Sequence, residues 1–288
     1  MNYSALIENR KSVREFTEKK VPQAFVQELE GYFNTSVLRL IPEIKTELLS
    51  FGTEAREALE GAAGYNQFLV GAPQYLVLLS EKAPLAAENA GFIMEDLVLK
   101  LTDMDLNSCW VTFTDSNAVK TALGLATDLE VMAIVAFGYG VRTTKRLRLN
   151  ILSMSNVNIE AKRRYFEPKR GIYDMVFLNT WGNTRNLDAA IGFYDEMLWE
   201  AFHAATLSPS YLNRQAYGFL LHDGQISLIR RPDLFTTELD GKLSLGIVLH
   251  HFTSVAQQWS GKVNWHFGDN HDIPVLPQGH EVICTTNL

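Results

Sequence analysis

The sequence has few of the features that mark secreted, membrane or nucleic-acid-binding proteins. Its 288 residues include two cysteines, Cys109 and Cys284, and no CxxC pair, which excludes a disulfide framework. No stretch reaches the roughly 18 consecutive apolar residues of a membrane span, and residues 1–16 lack the apolar core of a signal peptide. A net charge of −7 argues against a general nucleic-acid binder. These absences predict a soluble, cytoplasmic protein with no membrane or nucleic-acid partner.

Motifs of several common enzyme classes are also missing. There is no P-loop, no Gly-x-Gly-x-x-Gly after a predicted strand and no Gly-x-Ser-x-Gly elbow. His250 and His251 are adjacent on a predicted helix and point in different directions, and His266 and His271 have no partner at metal-ligand spacing. No metal site is therefore expected. Cys109 is predicted to be a buried small hydrophobe at a helix end rather than a nucleophile.

The composition, 47% hydrophobic and 20% charged, is that of a globular protein, and the length allows one large domain or two smaller ones. Apolar residues at helical spacing predict helices at 2–10, 22–33, 91–106, 188–206 and 243–259. Nearly continuous apolar runs predict buried strands at 72–80 and 130–140, and Asp223-Gly224 predicts the turn of a hairpin. The polar region from 34 to 66 carries no predicted element.

The second half of the sequence repeats the order of the first. A shift of 155 positions brings Gly91-Phe92-Ile93-Met94 onto Gly246-Ile247-Val248-Leu249. Apolar helices align easily, but the shared order of elements predicts an internal duplication. The corresponding halves are residues 1–150 and 151–288.

Two polar segments have the chemistry of a ligand site. In extended chain, Arg10, Ser12 and Arg14 share one face, and two guanidiniums around a hydroxyl form a good phosphate receptor. A solvated basic turn is the alternative.

The second segment begins with the turn Ser208-Pro209-Ser210. Asn213 and Gln215 follow two residues apart, so in extended chain they share a face, and their amides suit the mixed edge of a flavin or purine. The alternative is an ordinary polar loop after a helix.

Together these segments resemble the flavin-dependent nitroreductase family, which opens with Arg-x-Ser-x-Arg-x-Phe and carries Ser-Pro-Ser-x-x-Asn-x-Gln-Pro-Trp. Here Ala216-Tyr217 replace Pro-Trp, and Asn107 stands at a usual glycine position of the turn before Cys109. Residues 71–80, 94–113 and 134–140 also resemble family segments. The resemblance implies an α+β, nitroreductase-like fold of two related α/β halves packed as an intramolecular pseudo-dimer.

The order of the two segments is unusual for that family, whose homodimers bind each FMN with Arg-Ser-Arg from one subunit and Ser-Pro-Ser from the other. The first half here has Arg-Ser-Arg but Asn34-Thr35-Ser36 where Ser-Pro-Ser is expected. The second half has Ser-Pro-Ser but residues 182–186 (GNTRN) where Arg-Ser-Arg is expected. This pattern resembles a fused branch that binds one FMN per chain and can act as a monomer.

The resemblance implies a set of cofactor-binding residues: Arg10, Lys11, Ser12, Arg14, Asn66, Thr112, Arg146, Arg148, Ser208, Pro209, Ser210, Asn213 and Gln215. Arg14 is the candidate for stabilising charge at flavin N1/O2, and Thr112 would act through its main-chain N–H. Gln67 is an alternative to Asn66, and Arg146 and Arg148 are equally well explained as an exposed basic linker. No acid–base side chain is required.

The implied activity is NAD(P)H-dependent, ping-pong reduction of nitroaromatics, quinones or similar conjugated small molecules on FMN. Two alternatives stay open. One is a non-catalytic protein that stores, delivers or senses flavin, and the other is a pseudo-enzyme whose halves pack without a cofactor.

Overall fold

The computed structural model describes residues 1–66, 68–141, 145–153, 156–163, 168–194, 196–268 and 273–287, with the backbone alone for 145–153, 156–163, 192–194 and 196. The chain forms two compact units. Unit 1 comprises Met1, Asn9–Ala86 and Ile93–Glu167, and unit 2 comprises Asn2–Glu8, Ala87–Phe92 and Pro168–Leu288. They differ from the expected halves because the division falls after residue 167 and because two short segments of the first half belong to unit 2.

The helices are α1 (Tyr3–Asn9), α2 (Gln23–Thr35), α3 (Glu54–Leu59), α4 (Ala86–Asp103), α5 (Ser116–Ala122), α6 (Ile172–Met175), α7 (Leu187–Tyr194), α8 (Glu196–Thr206) and α9 (Glu238–Ser260). Each predicted helix is confirmed. The helix predicted at 91–106 begins five residues earlier, and the one predicted at 188–206 corresponds to α7 and α8 on either side of residue 195.

The strands are β1 (Thr46–Phe51), β2 (Gln74–Ser80), β3 (Asn107–Val111), β4 (Glu130–Gly138), β5 (Lys145–Ser153), β6 (Asn156–Arg163), β7 (Val176–Leu178), β8 (Tyr217–His222), β9 (Gln225–Arg230), β10 (His266–Phe267) and β11 (Glu281–Asn287). In the described part of unit 1, an antiparallel sheet has the order β1-β2-β4-β3, and β5 pairs with β6. The predicted strands β2 and β4 are the two inner strands of that sheet, which explains their continuous apolar runs.

The edge strands of this sheet were not predicted. β1 lies in the segment to which no element was assigned, and its residues are mostly half-buried. β3 replaces the expected helix end, so Cys109 lies in a strand paired with Ala136 of β4. The prediction was wrong here because a short edge strand with mixed polarity has no distinctive periodicity. Cys109 is nevertheless buried, as expected.

The described sheet of unit 2 has the order β10-β11-β9-β8-β7, with β7 parallel to β8 and the other pairs antiparallel. The predicted hairpin joins β8 to β9. Asp223 (φ 48°) and Gly224 (φ 77°) both adopt the positive φ that a type I′ turn requires. Helix α8 packs on α9. Phe202, Phe219 and Phe252 form an aromatic cluster between these helices and the sheet.

Two glycines allow the start of α4 to cross α9 at very short range. A Cβ atom at Gly91 would collide with the carbonyl oxygen of Leu243, and a Cβ atom at Gly246 would collide with the carbonyl oxygen of Glu88. The contact is reciprocal, because Glu88 and Leu243 are separated by the same 155 positions as Gly91 and Gly246. This crossing therefore requires glycine on both helices.

Glu88 is a carboxylic acid buried on α4, with 5% of its surface exposed. Its Oε2 has no hydrogen-bond partner among the described residues. Burial raises the pKa of Glu88 above its ordinary value of 4.5, and Lys242 and Arg230 offset part of the rise. The stability that the protonated form contributes is fully present below pH 4.5 and is lost as the pH rises through the folded-state pKa.

We expect Glu88→Gln to raise the melting temperature at pH 8 by about 2–4 °C and to change it little at pH 4.5, since glutamine stays neutral. The measurement is thermal unfolding of both proteins across this pH range. Glu57→Gln, at an exposed position, is the control and should show no such pH dependence. A less stable Glu88→Gln protein at pH 8 would mean that the native carboxylate is charged and held by the nearby cations.

Among the described residues, no helix combines the length and the apolar character that a membrane span requires.

Candidate functional site

The Arg10–Arg14 segment is extended at Ser12, which forms a parallel β-bridge with Ser108 of β3. The amide of Val13 donates to the carbonyl of Ser108 in β3 at 2.9 Å, and the amide of Val141 donates to the carbonyl of Glu15 at 3.0 Å. These bonds place the segment between β3 and the residues that follow β4. The sheet of unit 1 thus fixes the backbone from which the candidate phosphate-binding side chains project.

Arg10 and Ser12 share one face, as the alternation of side chains predicts. Nη1 of Arg10 donates to Oγ of Ser12 at 3.4 Å. Nε of Arg10 lies 3.6 Å from Oε1 of Glu95, and the two side chains are 8% and 0% exposed. This Nε is buried and has no hydrogen-bond partner among the described residues. Arg10 is therefore a largely buried cation whose Nε–H makes no hydrogen bond within the described part of the chain.

Glu95 is a site residue that sequence reasoning missed. It lies on α4 and is fully buried, and the indole N–H of Trp110 donates to its Oε2 at 3.0 Å. An acid inside the apolar pattern of the helix predicted at 91–106 was the available signal, because a buried carboxylate requires donors. The sequence does not say that the cation paired with this carboxylate lies 85 positions earlier.

Two guanidiniums act on the thiol of Cys109. Burial raises the pKa of Cys109, while the positive charges of Arg14 and Arg10 lower it by a smaller amount. Both arginines therefore act on this part of β3. Lys11 and Ser12 are exposed and Arg14 is half-buried. Within this segment, the hydrogen bond to the Ser12 hydroxyl comes from Arg10.

Asn66 and Thr112 belong to neighbouring stretches of unit 1. The amide of Gly64 donates to the carbonyl of Thr112 at 2.7 Å, and Asn66 has a positive φ of 46°. Three other candidates lie outside what the structure describes: the whole of Gln67 and the side chains of Arg146 and Arg148, whose backbone lies in β5.

In unit 2, the hydroxyl of Ser208 forms hydrogen bonds with other groups of the same unit. Ser208 is fully buried, donates to the carbonyl of Ala205 at 2.7 Å and lies 2.6 Å from the hydroxyl of Tyr217. Pro209 is also buried. Tyr217, which stands where the family usually has tryptophan, thus helps to close the Ser-Pro-Ser turn.

Gln215 is 1% exposed, and its amide is bonded to main chain on both sides. Nε2 donates to the carbonyl of Thr206 at 2.7 Å, and Oε1 accepts from the amide of Arg170 at 2.9 Å. The main-chain N–H of Gln215 donates to Oγ of Ser210 at 2.9 Å. These contacts hold the loop in shape.

The expected extended geometry of the Asn213–Gln215 stretch is wrong. Residues Tyr211–Asn213 form a 3₁₀ turn, and Leu212, Asn213 and Gln215 have φ of 47°, 56° and 44°. Three left-handed residues within four positions coil the chain, because the side chains of Ser210 and Gln215 satisfy backbone groups that a strand would otherwise pair. Asn213 and Gln215 therefore do not alternate as they would in a strand.

A segment that sequence reasoning missed, Pro168–Arg170, clamps this loop. The side-chain amide of Asn213 donates to the carbonyl of Pro168 at 2.7 Å. Nζ of Lys169 donates to the carbonyl of Ser208 at 2.8 Å, and Arg170 adds the bond to Gln215 described above. The clamp also places a cation beside the Ser-Pro-Ser turn. The Lys169-Arg170 pair was a visible signal, but nothing local connects it to Ser208.

Comparison with known proteins identifies the fold. A crystal structure from Thermotoga maritima MSB8, described as a putative nitroreductase, matches with a TM-score of 0.59 and 21% identity, over 100% of this chain and 94% of that chain. A structure from Desulfovibrio desulfuricans, described as a putative nitroreductase in complex with FMN, matches with a TM-score of 0.43 and 16% identity, over 49% of this chain and 88% of that chain. Oxidized iodotyrosine deiodinase bound to FMN and 3-iodo-L-tyrosine matches with a TM-score of 0.42 and 20% identity, over 52% of this chain and 96% of that chain.

No curated protein matches the sequence. The family described as "Putative TM nitroreductase" matches residues 2–172, which is more than half of the chain. The expected α+β, nitroreductase-like fold is confirmed. The chain belongs to the nitroreductase family.

Proposed function

We propose that this protein is an FMN-dependent oxidoreductase. The observation that carries the proposal is Arg10, a largely buried guanidinium whose Nη1 lies beside the hydroxyl of Ser12. A forked guanidinium next to a hydroxyl matches the oxygens of a phosphate. Arg14 adds a second positive charge nearby. The donor set of this segment thus fits the phosphate of FMN.

The Ser-Pro-Ser loop of unit 2 is our candidate for further flavin contacts. We assign Ser208 and Gln215 to holding the loop, because their polar groups bond other parts of unit 2. Pro209, Ser210 and Asn213 are the candidates for contact with the cofactor. Asn213 bonds Pro168 through its Nδ2, and its carbonyl oxygen can accept a hydrogen bond from a flavin N–H.

The chemistry of such a site comes from the cofactor: when bound, FMN supplies hydride transfer from NADH or NADPH to an oxidised, conjugated small molecule. The protein binds and orients both reactants. We assign Arg14 to the N1/O2 edge of the flavin, where a cation stabilises negative charge. Since reductant and acceptor need the same flat stacking surface, they bind in turn. Nitroaromatics and quinones fit this description, and we propose one FMN per chain in a monomer.

Titration of apo-protein with FMN should saturate near one equivalent per chain, and anaerobic NADH or NADPH should bleach the yellow complex. The measurement is flavin fluorescence for stoichiometry and the visible spectrum for reduction. Failure of apo-protein to bind FMN would contradict the proposal. Binding without bleaching by either nicotinamide would favour a storage or sensing protein instead. A stoichiometry near two would show that residues 34–36 and 182–186 still form a second site.

A further inference from the structure

Two neighbouring buried acids on α4 have different partners. Oδ2 of Asp96 accepts from the hydroxyl of Tyr32 and from the amide of Leu38, both at 2.8 Å, so Asp96 ties α2 and the following chain to α4. Glu95 instead meets the indole of Trp110 and the guanidinium of Arg10. One acid thus organises the scaffold of unit 1, and the other is connected to the Arg10–Arg14 segment.

The geometry of the Arg10–Glu95 ion pair is not one that would be expected to stabilise the fold. Both side chains are buried, the two nearest atoms are 3.6 Å apart, and Nε lacks a hydrogen bond among the described residues. A buried ion pair recovers its desolvation cost only when its geometry is good and its other hydrogen bonds are satisfied, and apolar residues of similar volume often serve stability as well. The arrangement therefore requires another explanation.

The geometry of the guanidinium offers that explanation. Glu95 lies on the Nε side of Arg10, whereas Nη1 lies beside the hydroxyl of Ser12. Trp110 fixes the second carboxylate oxygen of Glu95, so the carboxylate cannot rotate freely. An ion pair on the Nε side limits the directions in which Arg10 can turn its terminal nitrogens, so less freedom is lost when they bind a phosphate.

We propose that Glu95, held by Trp110, is a positioning residue that aims the terminal nitrogens of Arg10 at the phosphate of FMN. This inference rests on the proposed function. It makes a prediction opposite in sign to simple electrostatics, because removing a negative charge near a bound phosphate should otherwise strengthen FMN binding.

The test compares the dissociation constants of FMN and riboflavin on apo-protein at one salt concentration. Glu95→Gln keeps the volume but removes the charge and one acceptor. We expect it to weaken FMN about tenfold and riboflavin by less than about twofold. Trp110→Phe removes the indole N–H and should act in the same direction with a smaller effect. It also serves as the second variant if Glu95→Gln folds poorly.

Two controls separate positioning from a structural role. Asp96→Asn changes the neighbouring buried acid, so it should lower the melting temperature without changing the ratio of the two dissociation constants. In the Arg10→Ala background, Glu95→Gln should change FMN affinity by less than about twofold, because a residue that acts through Arg10 has no effect without it.

The outcomes distinguish this inference from the function on which it rests. Tighter FMN binding by Glu95→Gln, an unchanged ratio, or an effect that persists without Arg10 would overturn the role of Glu95 while leaving FMN binding intact. Wild-type apo-protein that binds no FMN would overturn both.

Discussion

Arg10→Ala should weaken FMN binding about tenfold to a hundredfold and leave riboflavin binding within about twofold of wild type. A charge-assisted bond between a guanidinium and a phosphate contributes roughly 1.5–3 kcal/mol to binding. Riboflavin has no phosphate, so its affinity does not depend on this bond. The largely buried position of Arg10 strengthens this expectation, since water screens a buried charge less. Fluorescence titration of apo-protein with each ligand measures the difference.

Lys20→Ala is the matched control for Arg10→Ala, because it removes an exposed cation of the same unit and should leave both dissociation constants unchanged. Arg10→Ala also leaves the carboxylate of Glu95 without its cation, so the melting temperature should fall. Titrations must therefore be made well below that temperature. Equal weakening of FMN and riboflavin would place Arg10 away from the phosphate.

Gly246→Ala should lower the free energy of unfolding by about 3 kcal/mol, because the new methyl group would collide with the main chain of α4 at Glu88 and Phe92. A decrease in stability would be informative, because alanine replacing glycine in an open helical position normally stabilises the protein by roughly 1 kcal/mol. Denaturant unfolding, with the slope checked against wild type, measures the change.

The same helix provides the control for this prediction. A Cβ atom at Gly241 would be 3.6 Å from Cγ2 of Thr236, an ordinary contact, so Gly241→Ala should stabilise slightly. Gly91→Ala should resemble Gly246→Ala, because its methyl group would collide with Leu243. If Gly246→Ala were as stable as Gly241→Ala, the two helices could separate at no cost and the close crossing would have no role in stability.

The sequence predicted elements whose pattern is strong and local. Helices α2, α4 and α9 and the inner strands β2 and β4 have long apolar repeats or runs, and the β8–β9 turn has a dipeptide that favours positive φ. Edge strands such as β1 and β3 were missed because their partners, rather than their own residues, determine them.

The candidate site shows the same division. For the Arg10–Arg14 segment the sequence left an extended chain and a basic turn open, and the bridge between Ser12 and Ser108 supports the extended chain. The internal role of Gln215 was not predictable, since it depends on Thr206 and Arg170, the latter 45 positions away. The roles of Glu95 and Lys169 could not be predicted for the same reason. Their partners are distant in sequence, and no periodicity reports such contacts.

The reciprocal glycines of α4 and α9 have a genetic consequence. In a symmetric homodimer, one codon specifies both members of a contact, so each substitution occurs twice and both copies of a site change together. Here Gly91 and Gly246 are separate codons. A substitution at Gly91 therefore leaves Gly246 unchanged, so each side of the crossing can be replaced, and its cost measured, independently of the other.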